Sequence, residues 1–259
     1  MIKSLTKLAI TASIMLALTF TLSCSGDDGD EGGGNNSGGG SSSSKKQNSS
    51  SPSQSQVRYD TPVTYRGKTY KTVKIGEQIW MTENLNIEVE GSVCYEGKPA
   101  NCDKYGRLYT WAAAMDIDAK YNDQAWGGSD VKHQGICPSG WHIPSYSDWY
   151  ELEKYIEKEN DCWLCSATYL KSASGWNTVV KPGNGNDKYG FSALPSGYFS
   201  HGSYSGVNSE GVWWGSGESD GEEYENMAEY WSMVFSVEIV WFGHYEKDYL
   251  LSVRCVRDS

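Results

Sequence analysis

Six cysteines distributed through an exported chain constrain this fold more than any other feature of the sequence. Cys94, Cys102, Cys137, Cys162, Cys165 and Cys255 follow a leader in which Lys3 and Lys7 precede the apolar run "LAITASIMLALTF". The run stops after a dozen or so residues at "TLSC", too short and too abruptly ended for a membrane span and right for a secretory signal. In an oxidising compartment an even number of cysteines reads as three disulfides rather than free thiols. Six cysteines allow fifteen pairings. Sequence proximity favours Cys94 with Cys102, closing "CYEGKPANC" around its Gly-Lys-Pro turn, and Cys162 with Cys165, which leaves Cys137 to meet Cys255 as a long-range staple.

Ser23 followed by Cys24 resembles the cleavage box of bacterial lipoproteins, in which the cysteine becomes the acylated first residue of the mature protein. Thr21 stands where that box usually has Leu. Residues 1–23 are then a lipoprotein signal peptide and Cys24 is the lipidation site, binding the membrane through lipid alone. The acidic "SGDDGDE" after Cys24 resembles an export tag that carries lipoproteins to the outer face of the outer membrane. Residues 24–56 read as lipidated cysteine plus a Gly/Ser/Asn/Asp tether with no side chains to offset the entropy of ordering. About thirty such residues set their load roughly 30 Å from the anchor on average, and about 100 Å when stretched. Residues 57–259 hold no further low-complexity break and have the size of one domain with a sizeable core.

That domain carries the charge imbalance. Four of the 22 basic and four of the 33 acidic side chains precede it, leaving 18 against 29 and the full net charge of −11. Nucleic acid is excluded as a natural partner by that sign. The 11 Trp and 18 Tyr concentrate here while Leu and Ile are sparse, so the core is built from rings.

The local patterns point to an α+β fold with two helices early and an antiparallel sheet late. "KTYKTVKIGEQIWMTENL" alternates apolar and polar around a Gly turn, as a hairpin does. "GRLYTWAAAM" predicts a short helix. Ser145 with Asp148 three places on has capping-box spacing, and Trp149, Leu152 and Ile156 fall on one face of a helix running to about Lys158. From about Gly190 the pattern is strands between Gly-rich turns: "YGFSALPSGYF", "GVWWGSG", "EYWSMVFSVEIVWF" and "LLSVRCV".

These blocks also carry a resemblance. "YRGKTYKTVKIGEQIWMTENLN", "CYEGKPANCDKYGRLYTWAAAM", "GICPSGWHIPSYSDWYELE", "LKSASGWN", "DKYGFSALPSGY", "VWWGSGE" and "LLSVRCVRD" follow, in order, the signature blocks of the Fibrobacter succinogenes major paralogous domain, over about residues 58–258. The resemblance implies a disulfide-stapled fold similar to the C-type lectin-like group, which also includes the formylglycine-generating enzymes, and it implies no defined chemistry. "NDCWLCSA" and the acidic "ESDGEEYE" depart from the family pattern. In lectin-like folds a cysteine ahead of the second helix pairs with one on the last strand, and Cys137 and Cys255 stand in those places.

Each chemical motif has a plainer structural reading. Zinc at Cys137 and His142 needs two further ligands, and His133, His201 and His244 make no pair at helical or hairpin spacing. The C-x-x-C of Cys162 and Cys165 sits among Glu157, Glu159 and Asp161, whose charge disfavours a thiolate. Glu218, Asp220, Glu222, Glu223 and Glu225 offer oxygens for calcium but lack the spacing and turn glycine of a known loop. The sugar-and-calcium triplets of true C-type lectins are absent, and "GWNT" at Trp176 and Asn177 is a partial echo. No Gly-x-Ser-x-Gly elbow or P-loop appears.

Two function classes remain: a non-catalytic module displayed on the cell surface, binding a glycan or a cell-surface protein in adhesion, and an enzyme on a formylglycine-generating-like scaffold. Trp80, Trp111, Trp141 and Trp149 are expected in the core. Trp213, Trp214, Trp241 and Tyr245, near Gly-rich turns on the late strands, are the expected ligand-binding rings, rimmed by the acidic run from Glu218 to Glu225.

Overall fold

A computed structural model describes residues 57–128, 132–219 and 224–258. The signal, lipidation and tether readings, like Asp220, Glu222 and Glu223 of the calcium reading, lie outside the described residues.

The chain opens with β1 (Tyr59–Tyr65), β2 (Lys68–Ile75) and β3 (Gln78–Met81), antiparallel neighbours joined by tight turns at Arg66–Gly67 and Gly76–Glu77. The sequence hairpin is β2 with β3, and Gly76 takes the positive φ (61°) that its turn requires. A stretch of short elements follows: β4 (Ser92–Val93), α1 (Pro99–Tyr105), β5 (Leu108–Tyr109), α2 (Trp111–Met115) and β6 (Trp141–His142). "GRLYTWAAAM" divides between β5 and α2, with the Thr110 side chain accepting from the Ala113 N–H at the boundary. Pro99 starts α1 inside the loop that the cysteine spacing marks as a turn; proline is favoured in a helix's first turn because no partner for its nitrogen is needed there.

α3 (Tyr146–Glu159) begins where the capping box places it. Ser145 Oγ accepts from the Asp148 N–H, and the Asp148 carboxylate accepts from the Ser145 N–H at 2.9 Å. Trp149, Leu152 and Ile156 are fully buried beneath it. α4 (Ser166–Leu170) follows the Cys162–Cys165 loop.

The remaining strands are β7 (Ser196–Ser200), β8 (Ser203–Val207), β9 (Glu210–Glu218), β10 (Met227–Val234), β11 (Val240–Glu246), β12 (Leu251–Ser252) and β13 (Val256–Arg257). They do not form one late antiparallel sheet. A five-stranded sheet runs β1-β2-β3-β13-β6, and an eight-stranded one runs β11-β10-β9-β12-β5-β4, with β7 paired to β9 and β8 paired to β7. β9 pairs in parallel with both β12 and β7, so the larger sheet is mixed. The fold is α+β with curled sheets, and its last residues stitch the two together: β12 belongs to the large sheet and β13, four residues on, to the small one.

Three disulfides hold this arrangement, with the partners that sequence proximity favours: Cys94–Cys102, Cys137–Cys255 and Cys162–Cys165. Cys137–Cys255 closes 118 residues at the junction of the sheets, both half-cystines wholly buried. Two ring-rich cores flank the large sheet. One gathers Trp111, Trp214, Tyr109 and Leu251, the other Trp80, Trp149, Trp213, Trp231 and Phe191. Among the described residues no helix is long and apolar enough to cross a membrane.

Candidate ligand-binding surface

β11 is the outermost strand of the large sheet, so its side chains alternate between the two faces with only β10 beside them. Trp241, Gly243 and Tyr245 lie on one face, Phe242 and His244 on the other. On the first, the Tyr245 ring stacks on Tyr230 with centroids 3.9 Å apart and planes 6° from parallel. A Cβ at Gly243 would come within 2.9 Å of the Tyr230 ring, so the glycine leaves room for that ring to lie across the strand. Tyr198, from β7, adds its ring 6.1 Å from Tyr245. Trp241, half exposed, ends the row.

A carboxylate sits under these rings. Glu210, at the start of β9, is hydrogen-bonded to Ser232, and burial lifts its carboxyl above the ordinary range. Burial likewise raises the phenols of Tyr198, Tyr230 and Tyr245, and the Glu210 charge adds to that effect. The phenols therefore stay protonated at neutral pH and can both donate and accept hydrogen bonds. The surface combines ring faces with neutral hydroxyls around one acid.

The opposite face of β11 meets the start of α3. Phe242 packs on the buried Trp231 at 4.9 Å and stands edge-on to Tyr146 at 5.0 Å, while Tyr146 and Tyr150 lie nearly parallel at 6.1 Å. Tyr146, Tyr150 and Phe242 are each between two-fifths and half exposed.

Trp213 and Trp214 are corrected by the structure: both are fully buried and cannot stack on a ligand. Being consecutive on β9, they point to opposite faces and enter different cores. Their indole N–H groups are satisfied inside, Trp213 donating to Asn84 Oδ1 and Trp214 to the Tyr109 carbonyl, each at 2.8 Å. The glycines beside them are not turns. A Cβ at Gly215 would lie 2.4 Å from the Trp231 ring and one at Gly211 2.5 Å from Trp213, so these positions admit neighbouring rings.

Glu218 is also reassigned. Its carboxylate accepts from the Trp126 and Gly127 N–H groups at 2.8 Å and pairs with the fully buried Lys247, whose ammonium also donates to the Gln124 and Glu225 carbonyls. Its oxygens hold a buried cation rather than facing a bound ion. Among the described residues no three His, Cys, Asp or Glu side chains gather as metal ligands.

The remaining motifs are architectural. Cys137 is bonded to Cys255, and the His142 ring, 1 % exposed, lies between Asp258 at 2.6 Å and Asp148 at 3.2 Å. Burial acts to raise the Asp148 carboxyl, yet hydrogen bonds from His142 and Ser145 outweigh it and hold the group below the usual range. Ser145 Oγ donates to Asp148, not to the imidazole, so Ser145, His142 and Asp148 do not form a nucleophile–base pair. Trp176 is buried, donating to Ser172 and the Ala193 carbonyl.

Sequence reasoning missed Tyr230, Tyr198 and Glu210, which come from three strands and meet only in the fold. It also missed Tyr146 and Tyr150, whose signal was present: they stand four apart on α3, away from the stripe of Trp149, Leu152 and Ile156, where two large rings have no core to enter.

The family model described as the Fibrobacter succinogenes major domain matches residues 73–257. Neither the curated proteins nor the solved structures provide a significant match to the chain. The matched span runs from the end of β2 to β13 and takes in the large sheet, all of the small one but β1 and most of β2, the three disulfides and the β11 surface, so this chain belongs to the Fibrobacter succinogenes major domain family.

Proposed function

We propose that the chain is a lipid-anchored protein of the outer membrane that displays a non-catalytic binding module on the cell surface. The module takes a polysaccharide or a cell-surface glycoconjugate, as an adhesion partner, on the sheet face formed by Trp241 and Tyr245 of β11 and Tyr230 of β10. The observation that carries the reading is that row of rings along the sheet edge, on β11 and its neighbour β10, in a domain that buries most of its other tryptophans. Aromatic rings stack on sugar faces at low entropic cost, and the adjacent phenols and Glu210 suit sugar hydroxyls. The leader ending at Cys24 and the tether after it support display away from the membrane.

The C-type lectin-like reading of the fold is supported by the staple from Cys137, ahead of α3, to Cys255 between the last two strands. Chemistry of the formylglycine-generating kind needs a reactive cysteine pair in one cleft, and the six cysteines of this domain are joined to one another.

A glycan array probed with the full chain, with and without chelator, tests the proposal. Binding to neutral glycans that persists in chelator and in raised salt is the expected result, because stacking is insensitive to screening. Turnover of chromogenic glycosides or oxidation of a cysteine-containing peptide would move the protein to the enzyme class.

A further inference from the structure

A cleft of about 270 Å³ opens between the β1–β2 hairpin and α1, with no β11 residue in its lining. Lys68, Lys71 and Lys104 line it, in a domain where acids outnumber bases 29 to 18. Among the described residues none of their three ammonium groups lies within ion-pair distance of a carboxylate, although the Lys71 backbone N–H donates to Glu83 at 3.1 Å. Lys104 instead rests over the Tyr105 ring at 4.5 Å and Lys68 over Tyr70 at 5.2 Å. Three ammonium groups kept off the abundant acids around one concavity are left with their charge directed at solvent or at a ligand.

The floor adds a fourth cation. Asn84, 5 % exposed, accepts through Oδ1 from Arg254 Nε at 3.1 Å, from Arg254 Nη2 at 2.8 Å and from Trp213, while its amide donates to the Tyr105 carbonyl. Arg254 is 1 % exposed, and its hydrogen bonds go to the neutral Asn84 side chain and the Phe191 carbonyl. Asp187, occupied by Ser192, and Glu83, at the cleft, act on it at longer range and offset part of its charge. The floor is stiff: Gly106 has φ 79°, and a Cβ there would lie 2.7 Å from Asn84 Cβ and the Leu85 carbonyl. Tyr59, 64 % exposed on the rim, offers a ring face. Glu83 and Asp103 also line the cleft, so the charge that faces a ligand is modestly positive.

We infer that this cleft is a second binding site, separate from the β11 surface, that takes a small singly charged carboxylate on a pyranose-sized body, as in a uronic acid unit. The carboxylate lies between Lys71 and Lys104 above the Asn84–Arg254 floor, and the body of the ligand rests on Tyr59. Sulfate, whose double charge costs more to desolvate and which has no ring-sized body to rest on Tyr59, is expected to bind more weakly.

Amide NMR of the full chain titrated with potassium galacturonate, with galactose and potassium sulfate as controls, tests this. The expected result is saturable shifts at Asn84, Tyr105 and Gly106 with galacturonate, none with galactose, and weaker ones with sulfate. The Lys71→Ala/Lys104→Ala double variant, altered only at exposed positions, is expected to weaken binding at least tenfold with its spectrum otherwise intact, and Trp241→Ala to leave it unchanged. Absence of shifts in the cleft, shifts that galactose or sulfate reproduces equally, or shifts that the double variant retains would each overturn the inference. Since Trp241 does not line this cleft, failure here leaves the β11 proposal standing, and the reverse holds as well.

Discussion

β9 and β11 belong to one sheet and both combine tryptophan with glycine in a short strand, yet they meet opposite fates. β9 lies between β10 and β12 with a core on either side, and Val212 through Gly217 are buried without interruption. β11 has one neighbour, and Trp241, Phe242 and His244 reach solvent. A strand covered on both faces reads as a continuous apolar run, whereas an edge strand can leave either face open. Exposure of a ring on this sheet is thus decided by the place of its strand in the order, not by the glycines next to it.

The strongest way to break that comparison is to truncate rings in the centre. Trp213→Ala or Trp214→Ala is expected to cost about 3–5 kcal/mol, the range for removing a fully buried tryptophan, read as a lowered midpoint in denaturant unfolding. A loss near zero for either would place that ring at the surface. Next in size is the staple between the sheets. Replacing Cys137 and Cys255 together by Ala is expected to cost about 2–5 kcal/mol, seen in the same unfolding experiment, because the bridge closes 118 residues and ties the segment ahead of β6 to the link between β12 and β13.

At the edge the same substitution is expected to separate stability from function. Trp241→Ala changes the unfolding free energy by no more than about 0.5 kcal/mol, as for an ordinary surface replacement, while weakening glycan binding by about 1–3 kcal/mol. The smallest effect concerns pH. Glu210 has its folded-state carboxyl raised above the ordinary 4.5 by burial. The folded state therefore holds that proton more tightly than the unfolded one, and the group's contribution to stability is largest in acid and declines as pH rises above about 4.5. Glu210→Gln, which cannot titrate, is expected to flatten that part of the stability–pH curve; an unchanged curve would mean that the carboxyl is not buried under the tyrosines.

Much of this was legible in the sequence where the signal is local. The Ser145–Asp148 box marked the start of α3 because both partners lie within one turn, and the Trp149–Leu152–Ile156 stripe marked its buried face. Nearest-neighbour cysteines left one pairing for Cys137 and Cys255, the pairing found. The sheets were less legible because their order is set by long-range contacts: β13 inserts between β3 and β6, and β12 pairs in parallel with β9, neither of which a periodicity of two reveals. Trp213 and Trp214 were misjudged for a definable reason. Glycine punctuates turns in many sequences, but Gly211 and Gly215 sit inside β9 to clear space for indole rings. Glu218 was misjudged because Lys247, its buried partner, is 29 residues away.

The most direct test of the division between centre and edge is a paired measurement on Trp241→Ala: affinity for the glycan that the parent chain binds on the array, and the unfolding midpoint of the same preparation. The expected result is roughly a tenfold or greater loss of affinity at an unchanged midpoint. A midpoint that falls as it does for Trp213→Ala, or an affinity equal to the parent's, would contradict the assignment of β11 as the ligand-binding edge.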